Sequence, residues 1–582
     1  MKLTYRPEID GLRAIAVVAV CFFHAGMLPL GYLGVDAFFA ISGFLITSII
    51  IKESSAEKFS LSAFYERRIR RILPLSFFAC SVALGLGYFV MLPDDLENLA
   101  QSVVATNLFA NNILLAITAG DYWAPVNEFK PLMHTWSLAI EEQFYLLYPL
   151  VVALIAGLFR SALLGLLLSF ALFSISLNFL GGQTFNFPHF RFWELLLGGS
   201  VAFAVNASAG LSVIKKITIP ALCGMVVLLL WPWEAKDSLM LKMLAVTLTI
   251  GILWAGVEHA PMARFVLSNS VVSYLGKISY SVYFWHQILF AFARYAVWGV
   301  LTPTLSVLII AVTMLVSAAT YHFVEQPFRN SRVISRRMLL IIITTSWIAL
   351  TASATGIYLK AGIVRDVPEL DIVAGKSSRG IHAAYNDSVY RFDRDFVSHD
   401  RIKVLVVGNS IARDWVNVLL ESKFVDSIEV TYNSQFNPKD LTCFRRGQEA
   451  DIVFWSHDRR GTVANLDDIQ ASGIEQEKIW VVGNKNFGVS NGIHYNYRGQ
   501  GYYQQRTRVL DRYILQNDRD RLKWPERYID LLGLVMDQHL TVPVFTPDQK
   551  YISQDCIHLT PRGAQFIGQL VDATLTTVLQ GE

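Results

Sequence analysis

Runs of about 20 mainly apolar residues, long enough to cross a hydrocarbon core as a helix, follow one another as far as Leu359 and then stop. That pattern requires a bundle of membrane helices first, and a portion with the residue mix of a soluble domain after it. With 53% hydrophobic and 17% charged residues over 582, the chain is not an ordinary soluble enzyme. A net charge of +3 gives no reason to expect nucleic acid as a partner. About eleven spans are predicted, near 11–30, 33–51, 72–92, 141–158, 161–180, 192–206, 217–231, 239–257, 279–298, 303–323 and 338–358. The stretch 99–119 carries Asn107, Asn111 and Asn112 and reads as an interfacial or re-entrant helix.

The loops set the topology. With a cytoplasmic N-terminus, the cytoplasmic loops hold Lys52, Lys58, Arg67, Arg68, Arg70, Arg71, Arg160, Lys215, Lys216, Arg264, Lys277, Arg329, Arg332, Arg336 and Arg337. The opposite loops hold only Lys130, Arg191 and Lys236. An odd number of spans then places the C-terminal domain across the membrane, in the periplasm of a bacterium. The first segment carries Arg13 and His24 and has no clear cleavage site, so it is expected to stay as an uncleaved span.

Arg13 and His24 are the misfits of that segment. They lie eleven positions apart, on one helical face and about 16 Å apart along the axis. Ionisable groups in a span usually face an interior or a water-filled cavity. Arg13 fits that role or snorkelling to the headgroups equally well, whereas His24, deeper in the segment, is expected to be functional. Other polar blocks follow: GVDAFFAISGFLI with Asp36 and Ser42, FYERRIRRILP with Arg67, Arg68, Arg70 and Arg71, and HTWSLAIEEQFY with His134, Glu141, Glu142 and Tyr145. If helical, His134, Glu141 and Tyr145 share a stripe. The arginine cluster serves as a positive-inside anchor or as a phosphate site. Arg191, Glu194, His286 and Glu325 stand in later blocks, and structural roles suit the last two at least as well as chemistry.

A polar tether is expected over 360–401. Beyond it, the strand-like runs IKVLVV, SIEVTY, DIVFWS, KIWVVG and TVPVFT alternate with helical stretches and predict a parallel α/β domain. Strand, Gly408-Asn409-Ser410, then helix puts Ser410 at a sharp turn, and DCIHLTPRGA supplies Asp555 and His558 three residues apart. One loop can then bring a base and its orienting acid to a distant serine. The cysteines have no metal-ligand spacing. Cys443 and Cys556 share the soluble domain, where a disulfide between them is compatible with a periplasmic location.

From IDGLRAIAVVAVCFFH through GVDAFFAISGFLI, FYERRIRRILP, HTWSLAIEEQFY, FRFWELLLGG, ISYSVYFWH and VEQP, the first 330 residues resemble, block by block, the bacterial membrane acyltransferase-3 family. The resemblance implies transfer of an acyl group, commonly acetyl, from cytoplasmic acyl-CoA to a hydroxyl on the far side. It places the family's arginine and histidine on Arg13 and His24, its arginine-rich motif on Arg67 to Arg71, and its glutamate on Glu141. Gln287 follows Trp285-His286 where relatives often have proline. Acetyl-CoA or another acyl-CoA is the donor substrate, no metal is expected, and the expected partners are membrane lipids and a polysaccharide or lipid-linked glycan, lipopolysaccharide O-antigen foremost. His24 serves either as general base or as transient acyl carrier.

Residues 402–580 resemble the SGNH-hydrolase family, with Ser410, Asp555 and His558 as its triad. Asn409 replaces the usual aspartate of the first block, and the oxyanion asparagine falls on Asn484 or Asn486 without the standard spacing. The expected layout is an acyltransferase-3 domain over 1–335, an additional transmembrane helix over 336–359, a tether over 360–401 and a three-layer SGNH-like α/β domain over 402–582. Two other classes fit the same layout. A glycan transporter would be expected to show repeat symmetry, which is not found; a periplasmic esterase would use the soluble domain alone.

Overall fold

The computed structural model describes residues 5–118, 125–158, 163–180, 186–207, 216–232, 238–297, 301–375, 381–434, 440–456 and 473–580. They form two compact units. One comprises Met1–Val90 and Asn98–Tyr358; the other comprises Met91–Glu97 and Leu359–Glu582. Arg160, Lys215 and Lys236, three of the loop charges that bear on topology, lie outside the described residues.

The first unit is helical, with the first turn of α4 and the last residue of α15 counted to the second: α1 (Pro7–His24), α2 (Gly34–Ser55), α3 (Leu61–Val90), α4 (Pro93–Asn107), α5 (Asn111–Thr118), α6 (Thr135–Leu158), α7 (Leu163–Leu177), α8 (Phe192–Ala207), α9 (Thr218–Leu230), α10 (Leu239–Ala255), α11 (Pro261–Ser268), α12 (Ser270–Lys277), α13 (Ser279–Ala296), α14 (Pro303–Thr320) and α15 (Arg336–Leu359). Four described helical segments are long and apolar enough to cross a membrane, Gly31–Ser54, Leu61–Val90, Pro303–Arg329 and Arg336–Leu359, and shorter apolar helices accompany them. The first predicted span, 11–30, is corrected. Gly26, in the left-handed conformation at φ 71°, and Pro29 end α1 early, so His24 is its last residue and not a mid-span one. The third, 72–92, falls within α3 but for its last two residues, and that helix starts earlier, at Leu61, so that it carries the arginine cluster within its length. Residues 99–118 form the end of α4 and all of α5, broken at Phe109 (φ 51°). Helices α2 and α8 cross closely because each offers a glycine. A Cβ on Gly43 would lie 1.8 Å from the Leu195 carbonyl oxygen, and one on Gly198 would lie 2.0 Å from that of Ala40.

The second unit is built on a parallel five-stranded sheet. Its strands are β1 (Ile402–Val407), β2 (Ile428–Asn433), β3 (Ile452–Ser456), β4 (Ile479–Val482) and β6 (Tyr528–Ile529), in the order β2-β1-β3-β4-β6. A small antiparallel pair, β5 (Arg506–Arg508) with β7 (Thr541–Pro543), stands beside it, so TVPVFT does not enter the main sheet. Strand β1 alternates its side chains between two apolar layers. Val404 and Val406 join the core under α16 (Ser410–Leu420) and α19 (Pro561–Gln580), while Leu405 and Val407 join the one under α17 (Leu441–Glu449). A parallel sheet covered on both faces follows from strands this apolar. Helix α18 (Asp511–Lys523) precedes β6.

Two expectations for this unit change. Residues 360–401 are not a free tether: Val367 and Ile372 pack with Tyr502, Val544 and Tyr551, and Val389 is fully buried against the α16 core. Cys443 and Cys556 belong to different apolar layers, on opposite faces of the sheet, and both are free thiols.

Candidate functional site

Five helices of the first unit line a partly open pocket with room of about 70 Å³ for water-sized groups. Arg13 enters it from α1, Ser42 from α2, Arg68 and Arg71 from α3, Glu141, Glu142 and Tyr145 from α6, and Tyr280 and Tyr283 from α13. Glu141 accepts hydrogen bonds from the hydroxyls of Ser42 and Tyr145, which fixes its carboxylate at the wall. The Arg68 guanidinium lies over the Tyr145 ring, 4.9 Å from its centroid. Arg13 has only a loose pairing with Asp10, at 3.8 Å. Among the described residues, neither Arg68 nor Arg71 has a hydrogen-bond or ion-pair partner. Three guanidiniums facing one cavity with donors to spare suit a polyanionic guest, for which arginine offers paired N–H donors in a fixed plane.

The other two arginines of the cluster are placed elsewhere. Arg70 is buried and donates to Glu66 and to the carbonyls of Phe328 and Ile334 (2.8–3.0 Å), joining α3 to the chain after α14. Arg67 is exposed and pairs with Glu53 at 2.9 Å. The cluster therefore divides between cavity wall and scaffold by its helical phase.

A second, small cavity, of about 10 Å³, is lined by His24, Asp36, His134, Trp136 and Arg191, among others. It shares Val35 and Tyr283 with the first. The Tyr283 hydroxyl is 2.5 Å from Ser137 Oγ and donates to the His134 carbonyl (3.0 Å), so that side chain stands as a partition between the two spaces. Three imidazoles meet here: the His286 ring centroid lies 5.0 Å from that of His24 and 5.1 Å from that of His134. His286 Nδ1 donates to the Tyr283 carbonyl (2.6 Å), leaving Nε2 as the acceptor nitrogen. Arg294 donates to the His24 carbonyl (3.0 Å) and pairs with Glu128 (2.9 Å), closing the C-terminal end of α1.

The stripe expected for His134, Glu141 and Tyr145 is split. Helix α6 begins at Thr135, and His134 turns to the histidine cavity while the other two face the arginine cavity. Asp36, Arg191 and Glu194, singled out separately in the sequence, form one buried cluster. Arg191 reaches Asp36 at 2.9 Å and Glu194 at 3.1 Å, between the faces of Phe39 and Trp136. Mutual neutralisation is what allows these charges to be buried. Glu325 pairs with Arg329 at 2.6 Å, at the wide helical turn Tyr321–Glu325.

In the second unit, Gly408 at φ 137° turns the chain out of β1, and Asn409 Oδ1 caps α16 by accepting from Ile411 N (3.1 Å). The cap is thus Asn409, and Ser410 is the first helical residue. A Cβ at position 408 would stand 2.6 Å from the Ser456 carbonyl oxygen, so only glycine fits there. Asp555 Oδ2 meets His558 Nδ1 at 2.5 Å, and Asp555 Oδ1 also accepts from the backbone N–H of Ile557 and His558. Burial opposes the charged imidazole, but the Asp555 charge and hydrogen bond outweigh it and raise the His558 pKa above its ordinary value. His558 Nε2, the nitrogen that would address a serine, is buried without a hydrogen bond. The two asparagines considered for an oxyanion hole are otherwise engaged: Asn484 donates to Tyr513 O (3.2 Å), and Asn486 donates to Gly488 O (3.0 Å) and Cys556 O (3.4 Å).

Sequence reasoning missed Tyr283, Asp414 and Lys485. Tyr283 sits three residues before His286, a helical-neighbour spacing that was available as a signal. Asp414 lies one turn after Ser410, and its buried partner Lys485 stands between Asn484 and Asn486.

Comparison with known proteins adds a family match. The model of the acyltransferase domain family matches residues 6–322. The O-acetyltransferase OatA of Staphylococcus aureus strain NCTC 8325 is 31% identical over 353 residues, covering 56% of this chain and 57% of that protein. A putative O-acetyltransferase of S. aureus strain MSSA476 is 30% identical over 358 residues, 57% of this chain and 58% of the relative. The chain thus spans little more than half the length of these curated relatives. No solved structure matches.

Proposed function

Because the chain belongs to the acyltransferase domain family, matched over 6–322 of its 582 residues, we propose that it is a membrane O-acyltransferase. In this reading an acyl group, acetyl first of all, passes from cytoplasmic acyl-CoA to a hydroxyl of an extracytoplasmic polysaccharide, with lipopolysaccharide O-antigen as the acceptor. The protein sits in a bacterial inner membrane with its N-terminus in the cytoplasm and its α/β unit in the periplasm. The single observation that carries the reading is the pair of adjoining cavities, one edged with open guanidiniums and the other with histidines, separated by Val35 and Tyr283.

The chemistry divides accordingly. Arg68, Arg71 and Arg13 take the phosphates of CoA by charge-assisted hydrogen bonds, and Glu141 orders the cavity wall. The acceptor oxygen attacks the thioester carbon, a C–O bond forms and the C–S bond breaks. His24 takes the hydroxyl proton and returns it to the departing thiolate. His286, with its acceptor nitrogen free among the rings, steadies the His24 imidazole. The α/β unit carries an SGNH-type reaction centre, Ser410, Asp555 and His558, that engages and positions the acceptor glycan. The Asp555–His558 pair supports that role, and it equally suits an esterase acting on the acylated glycan.

The test is His24→Ala, with the acyl content of surface glycans measured by mass spectrometry and the protein level by immunoblot. Loss of acylation at unchanged protein level is expected; full acylation rejects the reading.

A further inference from the structure

Asp414 occupies a position that the triad alone does not explain. It lies on α16 one turn beyond Ser410 and is 1% exposed. Its Oδ2 accepts from the backbone N–H of Leu559 (3.1 Å), the residue after His558. The same oxygen meets Lys485 Nζ at 2.7 Å, from the loop after β4, and Lys485 is itself only 2% exposed. One buried oxygen therefore fastens together the helix that starts with Ser410, the loop that carries His558 and the Asn484–Asn486 segment.

We propose that Asp414 and Lys485 are positioning residues of the Ser410 centre, Asp414 holding the His558 loop against the Ser410 helix and Lys485 balancing Asp414's charge beside the imidazole. This rests on the reading of Ser410, Asp555 and His558 as a reaction centre. A buried ion pair is costly to assemble, and an apolar pair would serve the fold as well or better. Placed beside a catalytic base, however, it sets the local field. The charged groups acting on His558 are Asp555 from its own loop, Asp414 from α16 and Lys485 from the β4 loop. Asp94, in the 91–97 segment of the same unit, acts on Asp555 in turn.

The signs follow directly. His558 acts as a base only when neutral, so the acid limb of activity tracks its pKa. Asp414→Asn removes a negative charge, lowers that pKa and moves the limb to lower pH. Lys485→Met leaves Asp414 unbalanced, raises the pKa and moves the limb to higher pH. A nearby charge of this kind shifts a pKa by about 1 unit or more. Lys485→Arg keeps the charge and should keep the wild-type limb.

The experiment measures hydrolysis of p-nitrophenyl acetate by the detergent-solubilised full chain from pH 5 to 9, for wild type and these variants, with Ser410→Ala as the blank. Labelling of Ser410 by a fluorophosphonate at the top of that range reports that the centre is folded. Limbs displaced in opposite directions, with Lys485→Arg unshifted, are expected. Limbs that stay in place, or a loss equal at every pH, overturn the proposal. If wild type shows no hydrolysis beyond Ser410→Ala, the reaction-centre reading fails, and this proposal fails with it.

Discussion

In the helical unit, the charged groups around the cavities come from helices far apart in sequence, and the buried carboxylates Asp36 and Glu141 are matched by partners from other segments. Asp36 meets Arg191, and Glu141 meets Ser42 from α2. In the α/β unit, the acid and the base stand three residues apart on one loop, while Ser410, Asp414 and Lys485 come from distant parts of the chain. The difference reflects the surroundings. Among apolar helices a lone charge is too costly, so polar groups persist where several helices can satisfy them together. At the end of a parallel sheet, a loop can carry an acid and a base in one short motif because backbone N–H groups hold the acid in place. Arg68 and Arg71, whose guanidiniums have no hydrogen-bond or ion-pair partner among the described residues, depart from the first rule, which is why they are the residues assigned to a charged guest.

Breaking that assignment gives the largest effect. Arg68→Ala or Arg71→Ala should raise the KM for acyl-CoA about 10- to 100-fold, the worth of a charge-assisted hydrogen bond or two. Steady-state assay of CoA-thiol release in membranes checks it. Arg70→Ala should act on the fold instead, lowering stability by about 1–3 kcal/mol because the carbonyls of Phe328 and Ile334 lose a buried donor and Glu66 its closest cation. A thermal-shift measurement in detergent, with KM unchanged in the surviving protein, separates the two roles. Gly408→Ala sharpens the other side of the comparison. Forcing a Cβ into φ 137° should cost about 1–3 kcal/mol, read as earlier protease cleavage of the α/β unit. Arg67→Ala, whose exposed pair with Glu53 is worth about 0–1 kcal/mol, should change neither KM nor stability measurably.

Legibility followed the same division. Arg13 and His24 stood out because charge inside an apolar run is rare, and both line the cavities. The end of the first helix was harder to place, since 11–30 is apolar throughout and only Gly26 and Pro29 mark the break. The arginine cluster was legible as a group, but its division into cavity and scaffold depends on what faces each side of α3. The parallel sheet was readable from its apolar strands, whereas residues 360–401 looked like linker because Val367, Ile372 and Val389 are sparse apolar residues that become core only through distant partners. Tyr283 was hidden among Tyr280, Phe284 and Trp285, where an aromatic residue draws no notice.

The central claim is that one acyl group crosses between the two cavities, past Val35 and Tyr283. Inverted membrane vesicles from a strain bearing O-antigen present the cytoplasmic face outward, and radiolabelled acetyl-CoA can be supplied from outside alone. The account predicts that label reaches glycan inside the vesicles while free CoA appears outside, and that His24→Ala abolishes both. Label that reaches glycan only when donor and acceptor share one side of the membrane, or that persists in His24→Ala, contradicts it.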